Sequence, residues 1–168
     1  MSNQPGLVLI GRAEHLDFPE LGLQQVPARI DTGAKTSALW ATSIKEVDGE
    51  LLYCLFGEDS TFYDGTVQST RDFTRILVST STGQVEERYV VKHLVSLSGR
   101  KIRASFTLAN RSNQAYPILV GRNVLRGKFL VDVKQGKPRP ELEKQKEHYK
   151  RLAHEKAQQN QPDKQQEV

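Results

Sequence analysis

Short apolar runs, each closed by a polar or glycine-containing turn, recur through the first 133 residues. Leu7–Arg12 alternates loosely and reads as a strand. Asp17-Phe-Pro-Glu-Leu-Gly22 reads as a turn-rich link, and Val26–Ile30 as a strand that begins at Pro27, because proline cannot donate to a ladder. Asp31-Thr-Gly33 breaks that strand. Thr36–Ile44 fits a short helical or extended piece, Tyr53–Phe56 a strand, and polar Gly57–Gly65 a loop. Arg75–Ser79 and Val85–Val91 flank Thr80-Ser-Thr-Gly83, the tip of a hairpin. His93–Leu97 leads through Ser98-Gly99-Arg100 to Ile102–Leu108, a second hairpin. Tyr116–Val120 is a continuous apolar run that predicts a buried strand. Asn123–Arg126 has room for one helical turn, and Phe129–Val133 is a closing strand. So many short strands at regular spacing predict an all-β barrel or closed sandwich.

From Lys134 the pattern changes. Gly136, Pro138 and Pro140 read as a linker. Glu141–Ala157 is rich in helix formers, with a narrow apolar stripe of Leu142, Tyr149 and Leu152 that suits a mostly solvated helix. Gln158–Val168 is Gln-rich and is expected to be disordered. The division is one domain over residues 7–133, then a linker, helix and disordered tail over 134–168.

A length of 168 residues with 37% hydrophobic side chains suits one domain that needs no disulfide or metal staple. Cys54 is the sole cysteine and reads as a packed core thiol. No apolar run approaches the roughly 18 residues of a membrane span, and Met1–Gly6 has no secretory pattern, so the expected home is cytoplasmic. The net charge of +4 is uneven. Residues 134–168 hold nine Lys/Arg and six Asp/Glu, and residues 1–133 hold fifteen and fourteen. The near-neutral body does not favour a nucleic-acid partner.

The chemistry concentrates at Asp31-Thr32-Gly33-Ala34. An acid set directly after an apolar strand, in a tight turn, can sit at the floor of a cleft. A lone carboxylate, with a reference pKa near 4, is a poor activator of water. Two carboxylates a few ångströms apart share one proton and supply both a base and an acid. Alone, the tripeptide is a weak signal.

The run Ala28-Arg-Ile-Asp31-Thr-Gly-Ala-Lys-Thr-Ser37 resembles the active-site loop of retropepsin-like aspartic peptidases. About 90 residues later, Tyr116-Pro-Ile-Leu-Val-Gly121-Arg-Asn-Val-Leu125 resembles their second signature. The hairpin tip at Thr80–Gly83 falls between them, where that fold has its flap. More closely, the chain resembles a family labelled ATP-dependent zinc proteases and also described as retropepsin-like aspartic endopeptidases. Gly11-Arg12, Leu21-Gly22, Ile30–Leu39, Glu87-Arg-Tyr-Val90, Asn110-Arg-Ser112, Pro117–Arg122 and Val131-Asp132 carry the match, which covers about Leu7 to Val133.

The resemblance implies a single-lobed retropepsin-like closed barrel with a C-terminal helical tail. Since the chain has one Asp-Thr-Gly, it implies a homodimer in which Asp31 of each copy forms the catalytic pair. Thr32 would tie the two loops together, Gly33 would let the backbone approach the substrate, and Thr82 and Gly83 would close over it. Viral retropepsins have an acid where this chain has Lys35. Lys35 and Arg122 are therefore expected to face an acidic substrate, with Arg88, Arg71 and Arg75 adding to the charge; the alternative leaves Lys35 in solvent and pairs Arg122 with Asp132 or Glu87. Family members are linked with ATP-grasp ligases that append glutamate to proteins, which implies trimming of glutamate tails.

Two other readings compete: a non-catalytic module that binds acidic peptides, and a metal-dependent peptidase as the family label suggests. There is no His-Glu-x-x-His, and His15, His93, His148 and His154 are scattered, so no metal ligand and no cofactor is expected. There is no phosphate-cradling Gly-x-x-x-x-Gly-Lys-Ser/Thr loop, so any ATP dependence would belong to a partner.

Overall fold

Two-residue turns set the framework. Asp48-Gly49 and Ser98-Gly99 have all four φ angles positive, between 47° and 78°. That is the backbone of the tight hairpin turn whose twist matches its strands. They join β4 (Ser37–Val47) to β5 (Glu50–Leu55) and β8 (Val85–Leu97) to β9 (Arg100–Ala109). The computed structural model describes residues 6–80, 82–136 and 148–156. Its other elements are β1 (Val8–Ile10), β2 (Ala13–Phe18), β3 (Leu23–Ile30), β6 (Val67–Thr70), β7 (Thr74–Ser79), β10 (Ile118–Val120), α1 (Arg122–Leu125) and β11 (Phe129–Val131).

The architecture is a closed barrel. Strands β10, β3, β2, β8, β9 and β4 pair in that order, and β4 returns to β10 through Ile118–Leu39 and Leu119–Ala38. Closure removes the exposed edges that an open sheet would present. Alternating positions of β8 (Val91, His93, Val95, Leu97) turn inward, against Phe18, Leu16, Val26, Leu39, Phe106 and Ile118. Each fully buried aliphatic or aromatic side chain contributes about 1.5–3 kcal/mol. β5 and β6 extend from β4, and β7 folds back on β8 as a long hairpin arm. A separate parallel ribbon pairs β1 with β11.

Several elements differ from the sequence expectation. Ala13–Phe18 is a strand, where the sequence pattern reads Asp17 as part of a link. His93–Leu97 continues the strand from Val85 and Val67–Thr70 adds a further strand, whereas Thr36–Ile44 takes the extended one of its two expected forms, within β4 from Ser37. Strand β3 runs through Pro27. The Asp31 N–H bonds to Val120 on the β10 side, so by alternation Pro27 also faces that side. Pairing with β10 starts only at Ala28, so the missing N–H of Pro27 removes no ladder bond.

The chain stays tied to the body up to Gly136: Arg12 N–H donates to Gln135 at 3.0 Å and the Arg12 guanidinium to Gly136 at 2.7 Å. Residues 148–156 are helical and mostly exposed, with Tyr149 half-buried and bonded to Asp59. The expected disorder of Gln158–Val168 and the first turns of the tail helix lie outside the described residues.

Inside the barrel, Tyr53 Oη and His93 Nε2 share a 2.9 Å hydrogen bond. Burial pushes the His93 imidazole down to about 4, with Arg103 adding to and Glu20 opposing the shift. Above pH 6.5 the ring is neutral in both folded and unfolded chains. Below it the unfolded chain takes up a proton that the folded chain refuses until about pH 4, so stability falls across that window by roughly 3 kcal/mol. His93→Gln, which keeps a polar partner for Tyr53 but does not titrate, should flatten the pH dependence of the urea midpoint. An unchanged slope would contradict this assignment.

Candidate active site

Asp31 leaves the end of β3, where its O accepts from Ala34 N–H at 3.2 Å and three further contacts hold it. Its N–H donates to Val120 O at 2.9 Å, fixing the loop to β10. Its Oδ1 accepts from the N–H groups of Gly33 at 3.0 Å and Ala34 at 3.1 Å. This short turn orients the carboxylate, and Oδ2 has no hydrogen-bond partner among the described residues. The sequence folds this way because Gly33 places no Cβ beside Oδ1; one added there would stand 3.3 Å from it.

The second signature closes onto the first. Gly121 N–H donates to Ser37 Oγ at 2.9 Å, and Ser37 Oγ donates to Asn123 Oδ1 at 2.7 Å. Asn123 Nδ2 reaches Ser105 O at 2.9 Å, and Thr107 Oγ1 reaches Ser37 O at 3.2 Å. Ser37 is fully buried, so the bonds of its hydroxyl and carbonyl satisfy groups that would otherwise be left unpaired at a cost of about 1–3 kcal/mol each. Arg122 N–H donates to Ala34 O at 2.8 Å, and its guanidinium donates to Gly33 O at 2.8 Å and Thr32 O at 3.4 Å. Arg122 therefore clamps the Asp-Thr-Gly turn by its carbonyls and makes no ion pair with Asp132 or Glu87.

The family model for the RimB-like group, described as retropepsin-like aspartic endopeptidase RimB, matches residues 9–141. The chain belongs to this family. A Shewanella halifaxensis protein named "Probable alpha-L-glutamate ligase" is 31% identical over 134 residues, which is 74% of this chain and 28% of that protein. A Desulfotalea psychrophila protein of the same name is 29% identical over 136 residues, 79% of this chain and 29% of that protein. The chain thus spans under a third of the length of these relatives. The crystal structure of Lpg0085 from Legionella pneumophila, a protein of unknown function, shares the fold with a TM-score of 0.62 at 21% identity, covering 77% of this chain and 96% of that one.

In this RimB-like barrel the hairpin of β7 and β8 carries Thr82 and Gly83 at its tip, with Gly83 at φ +82° and its N–H on Thr80 O at 2.9 Å. The cations near it are mostly paired. Arg88 bonds Glu86, Arg75 bonds Glu46, and Arg71 lies 3.6 Å from Glu50. Lys35 is exposed with no ion pair among the described residues. Arg111, which sequence reasoning did not single out as a site residue, is half-buried and lies within the electrostatic reach of Asp31, Arg29 and Arg88. Its only sequence signal was the Asn110-Arg-Ser112 match.

A cleft of about 630 Å³ runs from Thr36 and Asn123 along Ser105 and Thr107 to Ile76 and Val90 of the hairpin. Asp31 does not line it. A second hollow of about 410 Å³ adjoins the Asp-Thr-Gly turn itself, lined by Thr32, Arg122, Leu125, Phe129 and Leu130. Among the described residues no three His, Cys, Asp or Glu side chains come together in a way that would hold a metal ion. His93 is engaged by Tyr53, so the donor set does not fit a zinc centre around Asp31. No helix among the described residues is long and apolar enough to cross a membrane.

Proposed function

We propose that this protein is a homodimeric aspartic peptidase that removes glutamate residues from acidic protein tails. The observation that carries the reading is the Asp31 carboxylate, with Oδ1 locked by two backbone N–H groups and Oδ2 without a hydrogen-bond partner among the described residues. One such acid is half of a hydrolytic pair, and the chain contains a single Asp-Thr-Gly. A second copy supplies the other half. The β1–β11 ribbon beside this loop supports that assembly. Leu9 and Leu130 stand 56% and 53% exposed on adjacent, paired strands, and the hollow at Thr32 continues the same apolar surface. An uncovered apolar ribbon with free edges suits an isologous contact.

Across the pair, one carboxylate takes a proton from water as its oxygen attacks the amide carbon. The protonated partner donates to the carbonyl oxygen, and the proton then passes to the departing nitrogen. Thr82 and Gly83 close over the bound chain and exclude water. The glutamate assignment draws on the relatives named for an alpha-L-glutamate ligase and on Arg100, Lys101, Arg103 and Lys128, which line the cleft.

The test is incubation of the purified protein with a peptide ending in several α-linked glutamates, read by mass spectrometry. Stepwise shortening is expected, and a matched glutamine-tailed peptide should be cut far more slowly. Binding of the acidic tail without hydrolysis at any pH from 4 to 8 would overturn the enzyme reading in favour of a binding module.

A further inference from the structure

Residues 1–133 hold nearly equal numbers of acids and bases, yet the long cleft collects one sign. Arg100, Lys101, Arg103 and Lys128 line it, and no Asp or Glu among the described residues does. These cations gather at one end. Arg100 donates to Lys128 O at 2.8 Å, which draws the segment after α1 to the start of β9. The other end, at Thr36 and Asn123, abuts the Asp-Thr-Gly turn and the second signature. Arg103 is balanced from outside the cleft, because Glu20, which lines a separate hollow, accepts from its guanidinium at 2.8 and 3.0 Å. Lys128 Nζ reaches a carbonyl, Arg126 O, at 3.4 Å, and Lys101 is exposed.

Lys101 and Arg103 stand two apart on the exposed face of β9, with Ile102 turned inward between them. Their backbone positions are therefore about 7 Å apart, and an extended run of glutamates repeats its same-side carboxylates at that spacing. Ile76 and Val90 add an apolar wall against which the glutamate methylenes can lie. No aromatic side chain lines the cleft, so a single-stranded nucleic acid would find no stacking platform there. Asp31 does not line it either. We propose that this cleft is an exosite, which holds a run of acidic residues several positions away from the amide that meets Asp31. From Arg100 to Thr107 the lining strand extends about 23 Å, room for about seven extended residues. The proposal rests on the peptidase reading for the source of the acidic chain, but its claim about binding can be measured without turnover.

The experiment uses the full chain carrying Asp31→Asn, so that probes are bound and not cut, and measures octa-α-glutamate and octaglutamine by calorimetry. Octaglutamate should bind more tightly. Adding Lys101→Gln and Lys128→Gln together should weaken octaglutamate about 10-fold and leave octaglutamine nearly unchanged. Lys45→Gln with Lys156→Gln removes the same charge from exposed positions that do not line the cleft, and should change little. Glu20→Gln should tighten octaglutamate about 2- to 5-fold, because it releases Arg103, and a damaged fold would not produce a gain. Equal weakening by the two lysine pairs would reduce the effect to net charge and overturn the proposal. So would an octaglutamate affinity that neither the cleft lysines nor Glu20 alters, or tighter binding of an oligo-dT that depends on the same lysines. If the unsubstituted protein cuts no peptide but octaglutamate binding follows the cleft cations, the peptidase reading fails while this one stands. If it cuts and binding ignores them, the reverse holds.

Discussion

Asp31→Asn is expected to lower hydrolysis of a glutamate-tailed peptide by about a thousandfold or more. The amide keeps the size of the carboxylate, and its oxygen can still accept from the Gly33 and Ala34 N–H groups that now bind Oδ1 at 3.0 and 3.1 Å. What it loses is the capacity to take a proton from water and to share one with a partner. The folded barrel, its urea midpoint and its state of association should therefore change little, since no core contact depends on the charge. The paired readout separates chemistry from stability. A variant that stays fully active would remove Asp31 from the mechanism, and one that unfolds would show that the acid holds the loop rather than the water.

The second large effect falls on Gly121→Ala. A Cβ at this position would stand 2.4 Å from Thr36 O, 2.7 Å from Thr36 C and 2.9 Å from Ala34 O. All three are backbone atoms, so no side chain can swing aside. The loops must part, and the Gly121–Ser37 and Arg122–Ala34 bonds go with them. Overpacking together with the loss of a buried hydrogen bond predicts destabilisation of about 3 kcal/mol or more. Activity should fall further than stability, because these bonds hold the Asp31 turn against the second signature. Urea midpoints and rates of the variant check both. A variant with native stability and rate would mean that the two signatures do not act as one unit.

The parts of the fold that were legible in the sequence are those with local causes. The Ser98-Gly99 hairpin needs positive φ at both residues, and Gly33 and Gly121 stand where a Cβ would crowd Asp31 Oδ1 and Thr36 O, so each shows its local cause in its residues. Asp48-Gly49 carried the same kind of hairpin signal and would have settled β4 as a strand rather than a helix. Strand β2 was less visible, because Glu14, His15 and Asp17 interrupt its apolar positions and are tolerated only by what packs on either side. Pro27 argued against a longer β3, and only the late start of β10 accommodates it. At the site, the family resemblance singled out the carboxylate and its loop. The partners of the cations were not legible in the sequence. Arg122 turns to the carbonyls of Thr32 and Gly33, and Arg75 to Glu46 on another strand. Such contacts arise when distant strands meet, and no periodicity announces them.

The dimeric acid pair is tested most directly by subunit mixing. Wild-type and Asp31→Asn chains, unfolded together and refolded in varied ratios, should show activity that falls as the square of the wild-type fraction. An equal mixture would then keep about one quarter of the wild-type rate, because only wild-type pairs carry two acids. A linear fall, with about half the rate at equal mixing, would mean that each chain works alone and would contradict the shared site.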